Sequence, residues 1–438
     1  MIENPPKGKQ LLKVLGPGLV WSASAIGVSE LVFATRAGAL FGYLLLWAPI
    51  VSLIMKYAIF EMAGRYTIAT GENVLIAFTR VELDFKLFKL KTGWIIVLFW
   101  IVFIASVSGM AGIALSVGSC IYGIFPAISM EVATVCSIVI VGIVLYVGSY
   151  TTLENASRIL VLIMVLFLIY ALAKTSPDLK EMADGLIPRA PFNTLRELVP
   201  LLGWSGAGAI GVVWYSLWVE GSTRGKGNRT IDSDEDKSRI KKWIKINQID
   251  LTINTIITAL LTVMFLIAGV LILHPKGMVP QGEKLALQIS QIAGENFGRI
   301  GEIIFLVGIF GTLFSTLLAN IDGLCRVASN SVWYQRRKKD DTKLHYYRLF
   351  VIIYVLLTAL FSVLFPAPVI LLQISAVIDT IFLPLIIGLG IYICHKHLEA
   401  IYRPGKLLTI TGVLSVLFFV FFIVLFFYAV IMKVDFSM

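Results

Sequence analysis

The sequence predicts an all-α polytopic membrane protein built as two inverted five-helix repeats plus an eleventh helix. Three observations predict it. The first is the number of apolar stretches long enough to cross a bilayer, each needing about 20 residues. There are eleven: 11–40, 43–69, 94–123, 131–149, 153–174, 197–220, 245–273, 298–325, 345–365, 367–394 and 407–432. The second is loop charge. Lys and Arg gather at the N-terminus, Arg80 to Lys91, Arg224 to Lys245, Arg336 to Lys343 and Lys396 to Lys406, whereas the intervening loops carry few or none. That alternation places the N-terminus inside and the C-terminus outside a cytoplasmic membrane, as an odd number of spans requires.

The third observation is an internal echo. The first and sixth spans are both interrupted by small or polar residues, and five helices separate their starts. An odd number of helices inverts the second copy, and paired broken segments in two inverted halves point to a transporter's binding site. The boundaries that follow are 1–174 for the first repeat, 175–397 for the second and 398–438 for a peripheral eleventh helix.

Composition agrees. Of 438 residues, 58% are hydrophobic and 15% charged, against about 25% charged in soluble chains. The net charge of +10 lies in loops that face lipid headgroups, so the expected partner is the bilayer and not nucleic acid. Lys7 and Lys9 precede an apolar run without a small-residue cleavage site, which predicts a retained helix. Cys120, Cys136, Cys325 and Cys394 have no metal spacing and read as free thiols in apolar surroundings. His274, His345, His395 and His397 fall in loops or at helix ends. No nucleophile–base constellation appears, so an enzyme is not expected.

Residues 11–47 hold the sharpest signal. A spanning segment carries Ser22, Ser24, Gly27, Ser29 and Glu30 in its middle. A carboxylate at membrane depth costs at least a few kcal/mol, about 2.5 or more on insertion scales, and is a functional candidate by default. Its bland alternative is a structural ion pair with Arg36 or Lys56. Gly27 and the serines make a local break cheap. The sixth span, GWSGAGAIGVVWYSLWVEGS at 203–222, repeats the pattern with Gly203, Gly206, Gly208 and Gly211. Glu61 with Arg65 and Asp322 with Arg326 are spaced to pair along one helix face. Asp379, beside Ser375, Thr380 and Gln373, has no local cation and is the second candidate site carboxylate.

The string GPGLVWSASAIGVSELVFATRAGALFGYLLLW resembles, without a gap, the first helix of the Nramp divalent-metal transporters. Gly16-Pro17-Gly18, Ala37-Gly38-Ala39, Phe41-Gly42-Tyr43 and Leu45-Leu46-Trp47 carry the resemblance, which continues through Tyr66 and Ala69-Thr70-Gly71. It implies a LeuT-like fold with a metal held between the broken first and sixth helices. Where the family has Asp-Pro-Gly-Asn, this chain has Gly27-Val28-Ser29-Glu30. Where the family has Met-Pro-His in the sixth helix, this chain has a stretch within Val212 to Ser216.

The expectation is therefore alternating-access transport of a divalent cation of the Mn, Fe or Mg class with altered selectivity. The ion is cargo, no cofactor is implied, and the unit is a monomer. Gly27, Glu30, Gly211, Trp214, Tyr215, Ser216 and Asp379 are the expected site, with Glu30 as metal ligand. Ala105-Ser106-Val107-Ser108-Gly109 replaces the third-helix acids of the family, and no histidine lies at membrane depth, so the usual proton relay is not expected. Two alternatives are an organic-substrate transporter for an amino acid or amine, and a transport-dead sensor on the same scaffold.

Overall fold

The computed structural model describes residues 4–6, 27–84, 89–90, 93–148, 151–222, 233–336 and 341–432. The first half of the first span, with Ser22 and Ser24, lies outside the described residues. Helix dominates because hydrocarbon offers no water to a free backbone N–H or C=O. From Gly27 the chain is π-helical over Ser29–Ala34 and α-helical over Thr35–Phe41, together α1. Gly42, at φ 59°, ends it, and a 3₁₀ turn over Gly42–Leu45 bends the chain by 98° into α2, Trp47–Thr70.

The following spans are α3 (Trp94–Ile124), α4 (Met130–Val147), α5 (Thr151–Ala173), α6a (Leu195–Trp204), α6b (Ala209–Gly221) and α7 (Asp234–Ala268). The helical stretch Leu285–Arg336 is bent at Gly298, and its part from 299 onward is α8. Then come α9 (Asp341–Leu364), α10 (Pro368–His397) and α11 (Lys406–Ile431). Each of the eleven apolar stretches carries a helix, the first of them from Gly27 onward. Among the described residues, a two-residue ladder pairing Leu83–Asp84 with Lys89–Leu90 is the one β-pairing.

Helix ends follow ordinary capping chemistry. The Ser129 hydroxyl accepts from Val132 N at 3.4 Å at the start of α4, and Ser233 accepts from Asp236 N at 3.1 Å at the start of α7. Asp234, Glu235 and Asp236 put negative charge at the positive end of the α7 dipole. The helix-face pairs form as spaced: Glu61 with Arg65 at 2.5 Å and Asp322 with Arg326 at 2.7 Å.

Val97, Ile104, Leu162, Leu260, Leu356, Leu417 and Val424 are more than half exposed and make an apolar girdle around the bundle. α6 is the most enclosed span, and α9 and α11 are the least. Helices in lipid associate through packing, and small residues permit the closest approach. Gly38 of α1 lies against the Leu266 carbonyl of α7, and Gly269, just past α7, lies against the Thr35 carbonyl of α1. α1 is thereby locked to α7 backbone to backbone.

Candidate functional site

The site begins with the break in α6. Gly206 at φ 80° and Ala207 at φ 128° leave the helical region between α6a and α6b. The conformation suits glycine, and for Ala207 it is strained. A helix end buried in a membrane must find donors for its last carbonyls, and here nearly all are accounted for. Leu201 O receives Ser205 N at 3.0 Å and Trp204 O receives Ala207 N at 3.0 Å. Leu202 O receives the Ser52 hydroxyl at 2.6 Å. Lys56 Nζ donates to Gly203 O at 2.6 Å, Ser205 O at 2.9 Å and Ala207 O at 3.0 Å. Ser52 and Lys56 are four apart on α2, so one helix face satisfies the break.

Beside the break lies a cavity of about 70 Å³, room for on the order of five waters at about 10–15 Å³ each. Its walls come from α1 (Ser29), α3 (Ser106, Met110), the α6 break and α6b (Gly208, Gly211, Trp214), α8 (Thr316, Asn320) and α10 (Ser375, Asp379). Among the described residues that line it, Asp379 is the ionisable side chain. Its Oδ2 accepts from Trp204 Nε1 at 3.2 Å and its Oδ1 from Ile210 N at 3.4 Å. The carboxylate thus caps the N-terminus of α6b, where the dipole favours negative charge. A Cβ on Gly208 would overlap Asp379 Oδ2. Gly208→Ala is therefore expected to displace the carboxylate and lower ligand affinity at least tenfold while the protein still elutes as a folded species. Calorimetry and size exclusion on the variant check this, and unchanged affinity would contradict it.

The sequence-expected residues divide between two places. Asp379, Gly211 and Trp214 line the cavity. Glu30 does not; it is fully buried behind α1. Its Oε2 accepts from Gly27 N at 2.9 Å and its Oε1 from the Thr262 hydroxyl of α7 at 3.2 Å. A carboxylate reaching back three residues to a backbone N–H has the geometry of a capping box. Gly27 packs on Thr316 of α8. Neither cation named as an ion-pair partner contacts Glu30 directly: Arg36 pairs with Glu197 at 2.6 Å and Lys56 holds the α6 carbonyls. The Tyr215 hydroxyl donates to Asn247 Oδ1 on α7 at 3.0 Å, and its ring meets Phe60 edge-on at 5.6 Å. Ser216 accepts from Val74 N at 3.3 Å and holds the linker after α2. Tyr215 and Ser216 thus serve packing and do not line the cavity.

Four residues that matter are not singled out by sequence as parts of the site. Lys56 is legible as a charge within an apolar helix, but there it reads as a partner for Glu30. Met110 of α3 is a methionine among the cavity-lining residues, whereas the family resemblance points to the sixth helix for one. Asn320 and Trp204 carry no signal beyond their polarity. Among the described residues no group of three or more His, Cys, Asp or Glu side chains converges.

At the end of the bundle opposite the basic loops, Arg36 of α1, Glu197 of α6a and Gln373 of α10 form one buried cluster. Arg36 Nη2 meets Glu197 Oε1 at 2.6 Å, Gln373 Nε2 donates to the same oxygen at 2.9 Å, and Arg36 Nη1 donates to Pro280 O.

A central cavity beside a broken helix, walled by five spans of a helical membrane bundle, defines a transporter of the LeuT-like fold class. A family model, Natural resistance-associated macrophage protein-like (Nramp), matches residues 18–429, and the chain belongs to that family. Among curated relatives, an uncharacterized protein of Pasteurella multocida is 25% identical over 343 residues, covering 75% of this chain and 72% of that one. The divalent metal cation transporter MntH of Staphylococcus aureus is 26% identical over 262 residues, 58% of this chain. That match spans 55% of MntH, little more than half its length.

Solved structures agree on the fold. The Eremococcus coleocola manganese transporter in complex with an aromatic bis-isothiourea compound matches with TM-score 0.71 at 16% identity, covering 96% of this chain and 88% of that one. MhsT in complex with L-phenylalanine matches with TM-score 0.58 at 12% identity, covering 98% of this chain and 99% of that one. Identities this low speak for the fold alone.

Proposed function

We propose that this chain moves a divalent cation across the membrane by alternating access, with Asp379 as the charged ligand in the cavity between α1, α3, α6, α8 and α10. One observation carries the reading: the ionisable side chain on the cavity wall is a carboxylate held at the α6 break. The hydroxyls of Ser29, Ser106, Thr316 and Ser375 and the amide of Asn320 add neutral oxygens suited to a partly hydrated ion. Met110 adds a soft sulfur, which tilts preference from Mg toward Mn and Fe. The metal-transporting relatives support the same cargo class. The ion is cargo and not a resident cofactor, and the chain acts as a monomeric transporter, not an enzyme.

In this reading 1–174 and 175–397 are the inverted repeats, 398–438 is peripheral, and the α6 break is a hinge. The N-terminus faces the cytoplasm and the C-terminus faces out. Transport runs without the family's usual proton relay, because α3 offers serines where the relay needs acids.

A second reading is favoured by one atom. Trp214 lines the cavity, and its buried Nε1 has no hydrogen-bond partner among the described residues. A bare metal ion cannot accept from it, but the carbonyl or hydroxyl of an organic cation can, with Asp379 taking the charge and the indole face adding cation–π attraction.

Uptake of Mn²⁺ and Mg²⁺ into proteoliposomes, with calorimetry, separates the roles of the two carboxylates. Glu30→Gln keeps an acceptor for Gly27 N and gains a donor toward Thr262. It is expected to cost about 1 kcal/mol of stability as a weakened cap and to leave ion affinity within threefold of wild type. A tenfold loss in Glu30→Gln with Asp379→Asn unaffected would return the ligand role to Glu30. Uptake of an organic amine but of no divalent ion would put the second reading first.

A further inference from the structure

Lys56 is 1% exposed in the middle of α2, and the cargo site does not use it. An ammonium has three N–H donors, and three carbonyls surround this one: Gly203, Ser205 and Ala207, at 2.6, 2.9 and 3.0 Å. The Phe419 ring of α11 lies 5.7 Å away on another side. The carbonyls belong to the C-terminal end of α6a and the unwound segment after it, where the helix dipole is negative. Ala207, whose strained backbone needs holding, is one of the three. Unwound carbonyls at the C-terminal end of a half-helix are the groups with which membrane transporters coordinate small monovalent cations.

We propose that Lys56 is a tethered cation: its ammonium occupies a cage of three backbone carbonyls that otherwise suits a free monovalent ion, and so fixes the α6 break without one. The consequence reaches the cargo site. Both donors to Asp379 are tied to the caged segment: Trp204 lies within it, between Gly203 and Ser205, and Ile210 follows three residues after Ala207. Lys56 is thus a positioning residue for Asp379, in a place where a dissociable coupling ion is not required.

The test replaces the tether by its free equivalent. Full-length Lys56→Ala is purified in methylammonium, or in tetramethylammonium at equal ionic strength, and its Tm is measured in each. Methylammonium carries three donors and fits the vacated cage; tetramethylammonium has none and is too large. The expected result is a lower Tm for Lys56→Ala, raised by methylammonium and not by tetramethylammonium, with wild type indifferent to both. If the variant survives purification only in methylammonium, that also supports the proposal. Failure in both salts, or an equal response to both, overturns it. In proteoliposomes, Lys56→Met is expected to lose at least tenfold in cargo uptake and to ignore methylammonium, since its own side chain fills the cage. Wild-type uptake by Lys56→Met would overturn the proposal as well. The thermal test assumes nothing about the cargo, so it stands or fails separately from the reading of Asp379.

Discussion

Asp379→Asn is expected to weaken divalent-cation binding at least tenfold, about 1.4 kcal/mol, and to bring uptake to background while the protein remains folded. The amide keeps the shape of the carboxylate, and its oxygen still accepts from Ile210 N or Trp204 Nε1. What disappears is the full charge on the cavity wall. In a site screened less than bulk water, the attraction between that charge and a divalent ion is the strongest interaction the cavity offers. The hydroxyls and the amide around it contribute dipoles alone. Calorimetry with Mn²⁺ measures the affinity, and size exclusion with thermal unfolding checks the fold. Wild-type affinity in a folded variant would remove Asp379 from the site.

The second large effect concerns stability. Arg36 and Glu197 are buried together, with side chains 8% and 5% exposed. Arg36→Met strands the Glu197 carboxylate with Gln373 as its remaining donor, and removing one partner of a buried pair costs about 3–5 kcal/mol. A Tm lowered by several degrees in detergent is the expected readout. The double variant Arg36→Met/Glu197→Leu is expected to recover most of the loss, because no charge is then left buried and unpaired. A double variant as unstable as the single one would show that Arg36 acts through Pro280 and packing instead. The pair ties α1 to α6a, and Gln373 ties both to α10, so the single variant is also expected to loosen the cavity at that end.

The spans are legible in the sequence because hydrocarbon leaves the backbone so few options, and each of the eleven apolar stretches carries a helix. The α6 break is legible too, since Gly203, Gly206 and Gly208 announce it within a long apolar run. The direction of individual side chains is not. Successive residues on a helix point about 100° apart, so adjacent positions serve different neighbours. Ser29 faces the cavity while Glu30, one residue on, faces α7. Trp214 lines the cavity while Tyr215 turns to Asn247. A motif alignment places residues along the helix axis but leaves their facing to the packing of α7 and α8. Glu30 stands out in sequence for its cost in the membrane, and that cost is met by Gly27 N–H and Thr262. The role of Lys56 is hidden because a lysine among apolar residues suggests a carboxylate partner; backbone carbonyls freed by a break in another helix are not visible in sequence.

The most direct test of the cargo site is anomalous scattering from crystals of the wild-type protein soaked in Mn²⁺. The account predicts one strong peak within coordination distance of an Asp379 oxygen, at the α6 break, with no peak at Glu30. A peak at Glu30, or full occupancy at a place remote from both carboxylates, would contradict it.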